Sequence, residues 1–267
     1  MKRTILILAG LAAIGSLGFY YTTQHAKQSA TQAVPAVDEA ATADVATSKP
    51  AQVARHESRP ETSASNQASS APPPGSVEAI AFMAAIDKLV SPHGSFAEKQ
   101  AIWKQLANSG RLADAAAELE KLMAADPNNA MYPAELGQAY LKLCATTTDV
   151  RAQAIWAMNA DVDFDTALSL DPSNWEARFT KAVAMTYWPE NLNKGPEVVD
   201  QFNTLIAQQE QQPPQPQYAA AYEWLGKQYQ KTGQSAAAQQ VWQRGAALYP
   251  DNQSLQNLLA TSAAAQQ

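Results

Sequence analysis

From residue 222 to 252 the chain reads YEWLGKQYQKTGQSAAAQQVWQRGAALYPDN, with apolar positions at helical spacing on both sides of a turn. Trp224, Leu225 and Tyr229, with Gly226 between them, run into Thr232 and Gly233 and predict one helix and its stop. Ala238, Val241, Trp242 and Leu248 form the apolar side of a second, which Pro250, Asp251 and Asn252 close. Two helices of about a dozen residues around a tight glycine turn make an αα-hairpin, which has one apolar side and little of its own to bury it against. Such a unit is expected among copies of itself.

The same spacing recurs upstream. Gly233 and Pro250 stand seventeen residues apart, and so do Gly110 and Pro127 in GRLADAAAELEKLMAADPNN, where Ala115, Leu119 and Leu122 take the places of Ala238, Trp242 and Gly245. In AELGQAYLKL, Leu136, Gly137 and Tyr140 match Leu225, Gly226 and Tyr229; the copy closes at FDTALSLDPSN, where Phe164, Ala167 and Pro172 match Trp242, Gly245 and Pro250. A further copy runs from WEARFTKAVAM through PEVVDQFNTLI to the tract QQEQQPPQPQ.

This pattern resembles the tetratricopeptide repeat, a helix-turn-helix of 34 residues, over roughly residues 97 to 252. The resemblance implies an all-α solenoid of antiparallel helix hairpins. Three departures carry local expectations. Trp103 stands where the close helix crossing takes a small residue. The second copy is about eleven residues longer than the last, which assigns CATTTDVRAQA to a longer turn or a longer second helix. The third is interrupted at YWPENLNKGP, where Pro189 and Pro196 forbid one continuous helix. Solenoids absorb such insertions because each hairpin touches only its neighbours. VEAIAFMAAIDKLV, with Ile80, Met83, Ile86, Leu89 and Val90 on one helical face, is expected to cap the N-terminal end; NQSLQNLLATSAAAQQ, with Leu255, Leu258 and Leu259, caps the other.

The first quarter of the chain has a different pattern. Lys2 and Arg3 precede an uncharged, mostly apolar run from Thr4 to Tyr21, at the lower limit of length for a membrane-spanning helix, with Tyr20 and Tyr21 at its edge. Residues 1–24 are therefore expected to be a membrane anchor, or alternatively a cleaved signal peptide. No cysteine follows the run to carry a lipid. The basic flank predicts that in a bacterium the remainder lies on the periplasmic side of the inner membrane. Residues 25–75, of Ala, Ser, Thr, Gln, Pro and Val, hold too little apolar surface to offset chain entropy and are expected to be a flexible tether. That leaves residues 76–267 as the folded domain.

Charge narrows the partners. Residues 76–267 hold 13 Lys and Arg against 20 Asp and Glu, and no basic stripe, which argues against nucleic acid. Chemistry is sparse. His25, His56 and His93 have no second ligand at metal spacing, and Cys144 is alone and expected to be a buried thiol. Asp161, Asp163 and Asp165 imitate the start of a calcium loop, but Thr166 holds its glycine position and Pro172 its closing glutamate. No G-x-S-x-G, P-loop or H-E-x-x-H occurs. No cofactor, metal site or enzymatic activity is expected.

What remains is a surface. The resemblance implies that the first helix of each hairpin lines a concave groove that holds a peptide. At the helical position two residues after the Leu of the Leu-Gly pair, the four copies read Lys104, Gln138, Lys181 and Lys227, with Phe179 taken as the Leu of the third, and these are expected to form a ladder for carboxylates or a C-terminal carboxylate. One turn before stand Gln100, Ala134, Ala177 and Glu223, and one turn after, Ala107, Leu141, Ala184 and Gln230, giving a floor of small and apolar residues. Trp175 and Trp188 are expected in the core. The functional expectation is a membrane-tethered adaptor or assembly factor, similar to bacterial tetratricopeptide proteins that help mature envelope complexes such as cytochromes c or pili. The alternative is a self-associating structural subunit that uses the terminal helix or the insertions.

Overall fold

The computed structural model describes residues 75–264. The anchor and the tether assigned to residues 1–24 and 25–75 lie outside this range, apart from Gly75. The described residues form ten α-helices and no strand. These are α1 (Val77–Leu89), α2 (Phe96–Asn108), α3 (Leu112–Ala125), α4 (Met131–Thr146), α5 (Val150–Leu170), α6 (Trp175–Met185), α7 (Gly195–Gln209), α8 (Ala219–Lys231), α9 (Ser235–Leu248) and α10 (Gln253–Ala264). Short 3-10 turns stand at Glu190–Leu192 and Pro216–Tyr218. From α2 to α9 the helices pair as four hairpins. Each second helix also packs on the next first helix, and α4 touches α6 directly, which is the contact pattern of a solenoid.

Local sequence sets the helix ends. Ser95 and Glu98 form a reciprocal capping box at the start of α2. Asn174 caps α6 by accepting from the Ala177 amide at 3.0 Å. Gly110 and Gly233 sit at φ 69° and 79°, in the left-handed region that glycine enters most easily. At both turns the amide two positions past the cap reaches back across the last turn, Arg111 N to Leu106 O at 2.9 Å and Gln234 N to Tyr229 O at 2.8 Å. The matched glycines of the sequence are thus the same turn, built twice.

The hairpins interlock through a missing side chain. A methyl group on Gly137 would lie 2.7 Å from the Phe164 ring, and one on Gly226 would collide with the buried indole of Trp242. The glycine in the first helix therefore makes room for the aromatic of the second. Trp242 is fixed further by donating from Nε1 to the Glu223 carbonyl at 3.2 Å. Buried side chains form two clusters, from Ile86 to Ala177 and from Phe179 to Leu255, so α6 contributes to both.

Both insertions become helix or helix boundary. The second copy's extra residues extend α4 to Thr146 and make α5 the longest helix, 21 residues. Trp156 on the added turns stacks against Tyr140 at 5.2 Å, and Cys144 donates its thiol to the Gln153 carbonyl at 3.3 Å. Cys144 is fully buried, and burial pushes its thiol up to about 12. In the third copy α6 stops at Met185, and α7 begins at Gly195 with Pro196 in its first turn, where the missing amide costs nothing. Leu255 is wholly buried on the preceding hairpin, whereas on α1 only Ile86 and Leu89 are; Ile80 and Met83, assigned to the same face, are 62% and 41% exposed.

Replacing Gly226 by Ala should cost about 1–3 kcal/mol through overpacking against Trp242. Replacing Gly110 by Ala, where a methyl group meets nothing within 4 Å, should cost only the left-handed backbone term of about 1 kcal/mol. Urea unfolding of the two variants measures the difference; equal losses would mean that the crossing is not the tighter constraint.

Candidate functional site

The first helices of the hairpins, α2, α4, α6 and α8, define the inner face, and their N-terminal halves are shut. Lys99 on α2 places its Nζ 3.0 Å from Glu135 Oε1 on α4 and 3.0 Å from Glu176 Oε2 on α6. Trp103, one turn further along α2, donates from Nε1 to Glu135 Oε2 at 2.9 Å. Phe96 meets the Trp175 and Phe179 rings edge-on at 5.6 and 6.3 Å. Trp175 itself stacks on Phe179 at 4.7 Å, lies 5.3 Å from Tyr218 and donates to Gln209 Oε1 at 2.8 Å. Side chains of the first hairpin therefore reach across α4 to the third.

This closure corrects the expected groove. Ala134, Gln138, Leu141 and Ala177 are all buried, between 1% and 5% exposed, and Gln138 spends its amide on Thr180 Oγ1 at 2.8 Å. Ala184 is half-buried, and Lys104 and Ala107 are exposed. No continuous open floor runs along α4 and α6.

The lysine ladder also fails at its third rung. Leu225 is the seventh residue of α8 and Ile102 the seventh of α2; the seventh of α6 is Lys181, not Phe179. Lys181 thus stands at the Leu position, facing the second helices, and Val183, 1% exposed, occupies the position assigned to it. Its ammonium is buried against Asp161 at 3.2 Å and Asp165 on α5, with Glu197 of α7 at 4.0 Å. Asp161 and Asp165, one helical turn apart, serve this buried cation, while Asp163 is buried apart from them. Among the described residues no group of three His, Cys, Asp or Glu is placed to hold a metal ion.

The C-terminal halves of α2, α4 and α8 carry lysines, although on α4 Leu141 and Cys144 and on α6 Ala182, Val183 and Met185 are buried. Lys104 lies on α2, half-buried Lys142 on α4, and Lys227 and Lys231 on α8. The Lys142 ammonium stands 5.7 Å from the Trp103 ring, and burial, opposed by Glu135, brings it down to about 8, so it is still mostly charged at neutral pH. Lys227 lies 5.0 Å over Trp224, whose ring meets Tyr187 of the third hairpin at 6.0 Å. Lys231 donates to the Thr186 carbonyl at 3.0 Å, tying α8 to the end of α6. Trp188 is half-buried beside Lys194, whose ammonium is 5.3 Å from its ring. Lys99, Glu135, Glu176, Phe96 and Lys142 were not singled out in the sequence, since spacing within a repeat says nothing about which residues meet across one.

No family pattern and no curated relative matches the sequence. Among solved structures the chain is similar to MamA, with 18% identity and a TM-score of 0.47 over 61% of this chain and 83% of MamA. It is also similar to TTC0263, a thermophilic tetratricopeptide protein of Thermus thermophilus, with 14% identity and a TM-score of 0.48 over 60% and 77% of the two chains. On the geometry of its own hairpins, turns and glycine crossings, the described region has a tetratricopeptide-type fold.

Proposed function

We propose that the chain is a non-enzymatic scaffold that holds a protein partner at the open end of its inner face. Its N-terminal apolar run tethers it to the bacterial inner membrane, with residues 76–267 on the periplasmic side. There it acts as an adaptor or assembly factor for envelope complexes. The observation that carries the binding site is the placement of Lys104, Lys142, Lys227 and Lys231 on the C-terminal halves of three first helices, in a domain with seven more acidic than basic residues. Half-buried Trp224 lies beside Lys227 and meets Tyr187, and the two rings offer an aromatic surface at that end of α8. An acidic peptide, or a chain end with its carboxylate, is the complementary partner.

Titrating the full-length chain in detergent with an acidic peptide and with its Glu→Gln counterpart tests this. The acidic peptide should bind about tenfold more tightly, the sum of three ion pairs of the exposed kind, and Lys104→Glu, Lys142→Glu and Lys227→Glu together should abolish the difference. Equal affinities for the two peptides would remove the site. The tether is tested separately by carbonate extraction, with the chain expected in the membrane fraction at its full length.

The apolar outer side of α1 supports self-association as a second reading. Val77 is 82% exposed, and Ile80 and Met83 lie on the same helix above the buried Ile86 and Leu89. If copies pair there, sedimentation of the full-length chain should show a concentration-dependent dimer that Ile80→Glu returns to monomer. A native chain that stays monomeric throughout would exclude it.

A further inference from the structure

Along the closed half of the inner face, α2 lies as a docked helix lies in a groove. Lys99, Gln100, Trp103 and Leu106 are buried and Phe96 is half-buried, the i, i+3, i+4, i+7 stripe of a groove-bound helix continued by one more turn. The two anchors at its start enter a receptor made by other elements. Trp175, which Phe96 meets edge-on at 5.6 Å, is held without α2: it stacks on Phe179 and donates to Gln209 of α7, whose own amide donates to the Tyr218 carbonyl at 3.0 Å. Beside that aromatic wall, Glu176 of α6 and Glu135 of α4 accept from the Lys99 ammonium. Glu135 also faces half-buried Lys142 of its own helix. Without α2 the place therefore holds two carboxylates and one ammonium, and Lys99 is the cation that completes it. In its own hairpin, α2 lacks the close crossing that Gly137 and Gly226 give α4 and α8; Trp103 stands there, and its indole turns to Glu135.

We propose that the inner face between α4 and α6 is a docking site for a partner helix with an aromatic residue followed three positions later by lysine or arginine, and that α2 occupies it in cis until such a helix displaces it. The chemistry is the reverse of that at the lysine-bearing end, and the proposal stands whether or not an acidic peptide binds there.

A separate partner fits this site better than α2 of a second copy. An exchanged α2 brings the same contacts and loses the high effective concentration of a tethered segment. An arginine, in contrast, offers the two carboxylates a planar fork of donors where Lys99 has one ammonium. Displaced with its helix, Lys99 passes to water, where its charge needs no partner.

The probe is a synthetic peptide of residues 94–110, which keeps the Ser95–Glu98 cap, against a counterpart with Phe96→Ala and Lys99→Glu. The receptor is the full-length chain in detergent, native or with Phe96→Ala and Lys99→Ala in its own α2. The peptide should bind the variant about tenfold more tightly than the native chain, because the competing anchors are gone, and the counterpart should lose that gain. A variant that binds both peptides alike, or neither, overturns the proposal. Spin labels on the chain that keeps its native anchors give a second reading, independent of how well the variant folds. Placed on Ala97→Cys and Ser173→Cys, both exposed, they report the separation of α2 from the start of α6, and buried Cys144 stays unlabelled. By pulsed dipolar spectroscopy, excess peptide should convert a short distance into a longer one, which the counterpart leaves short. A distance that the peptide does not move overturns displacement. One that lengthens with the chain's own concentration, without peptide, assigns the site to α2 of a second copy and overturns the separate partner.

Discussion

A pair of helices in this fold can hide its apolar side only as closely as the residue at their crossing allows, and every other contact follows from that separation. Where Gly137 and Gly226 stand, the backbone comes close enough for Phe164 and Trp242 to lie directly on it. The hairpin then presents a continuous apolar edge to its neighbour, and the neighbour's first helix packs on the preceding second helix. The first hairpin breaks this arrangement. Trp103 stands at the crossing and Leu119 stands where the aromatics do, so the large ring sits on the first helix instead of the second. Its indole is satisfied outside the hairpin, on Glu135 of α4. The exception to the glycine rule thus lies where the inner face is closed, and Lys99, one turn away on the same helix side, uses the other oxygen of the same carboxylate.

Much of this was legible in the sequence, and the reason is local. Turn glycines, closing prolines and the Leu-Gly-Tyr triplet all mark events within one hairpin, and the structure places four of them in order. The inserted residues of the second copy fell into the helix and not the turn because Trp156 and Gln153 give the added turns something to pack on and bond to. The third copy was misread by two residues because it has no glycine to fix its phase; Phe179 looked like the Leu of the pair. A signal was present all the same. Leu136 lies nine residues after Pro127 and Leu225 nine after Pro216, and the same interval from Pro172 gives Lys181. A lysine at a leucine position was the cue that acids must stand nearby, and Asp161 and Asp165 were already conspicuous for the wrong reason.

What no spacing encodes is the curvature that brings Phe96 to Trp175 and Lys99 to Glu176, 77 residues apart in the chain. Curvature is the accumulated result of small rotations between hairpins, each set by side-chain volume at a crossing. It decides which polar residues of the first helices are interior and which are surface. Lys99 and Lys181 become interior and are neutralised by carboxylates from neighbouring helices. Lys104, Lys142 and Lys227 sit in the C-terminal halves of their helices, and Lys231 is in the last turn of α8, where the backbone dipole favours a cation. The first helices are consequently polarised along their direction, closed and internally neutralised at the N-terminal end and carrying lysines at the other.

That polarity has an energetic consequence for any partner longer than the open end. To continue along the face it must displace Phe96 from two rings, each contact of this type being worth about 0.5–1.5 kcal/mol, and separate Lys99 from Glu176. Parting a buried ion pair without replacement is expensive, so a partner does best by supplying a carboxylate of its own to Lys99. A short acidic segment would meet none of this cost, whereas a long one would have its affinity reduced by the fraction of molecules already open. Discrimination by partner length would therefore rest on Phe96, Lys99 and Glu176.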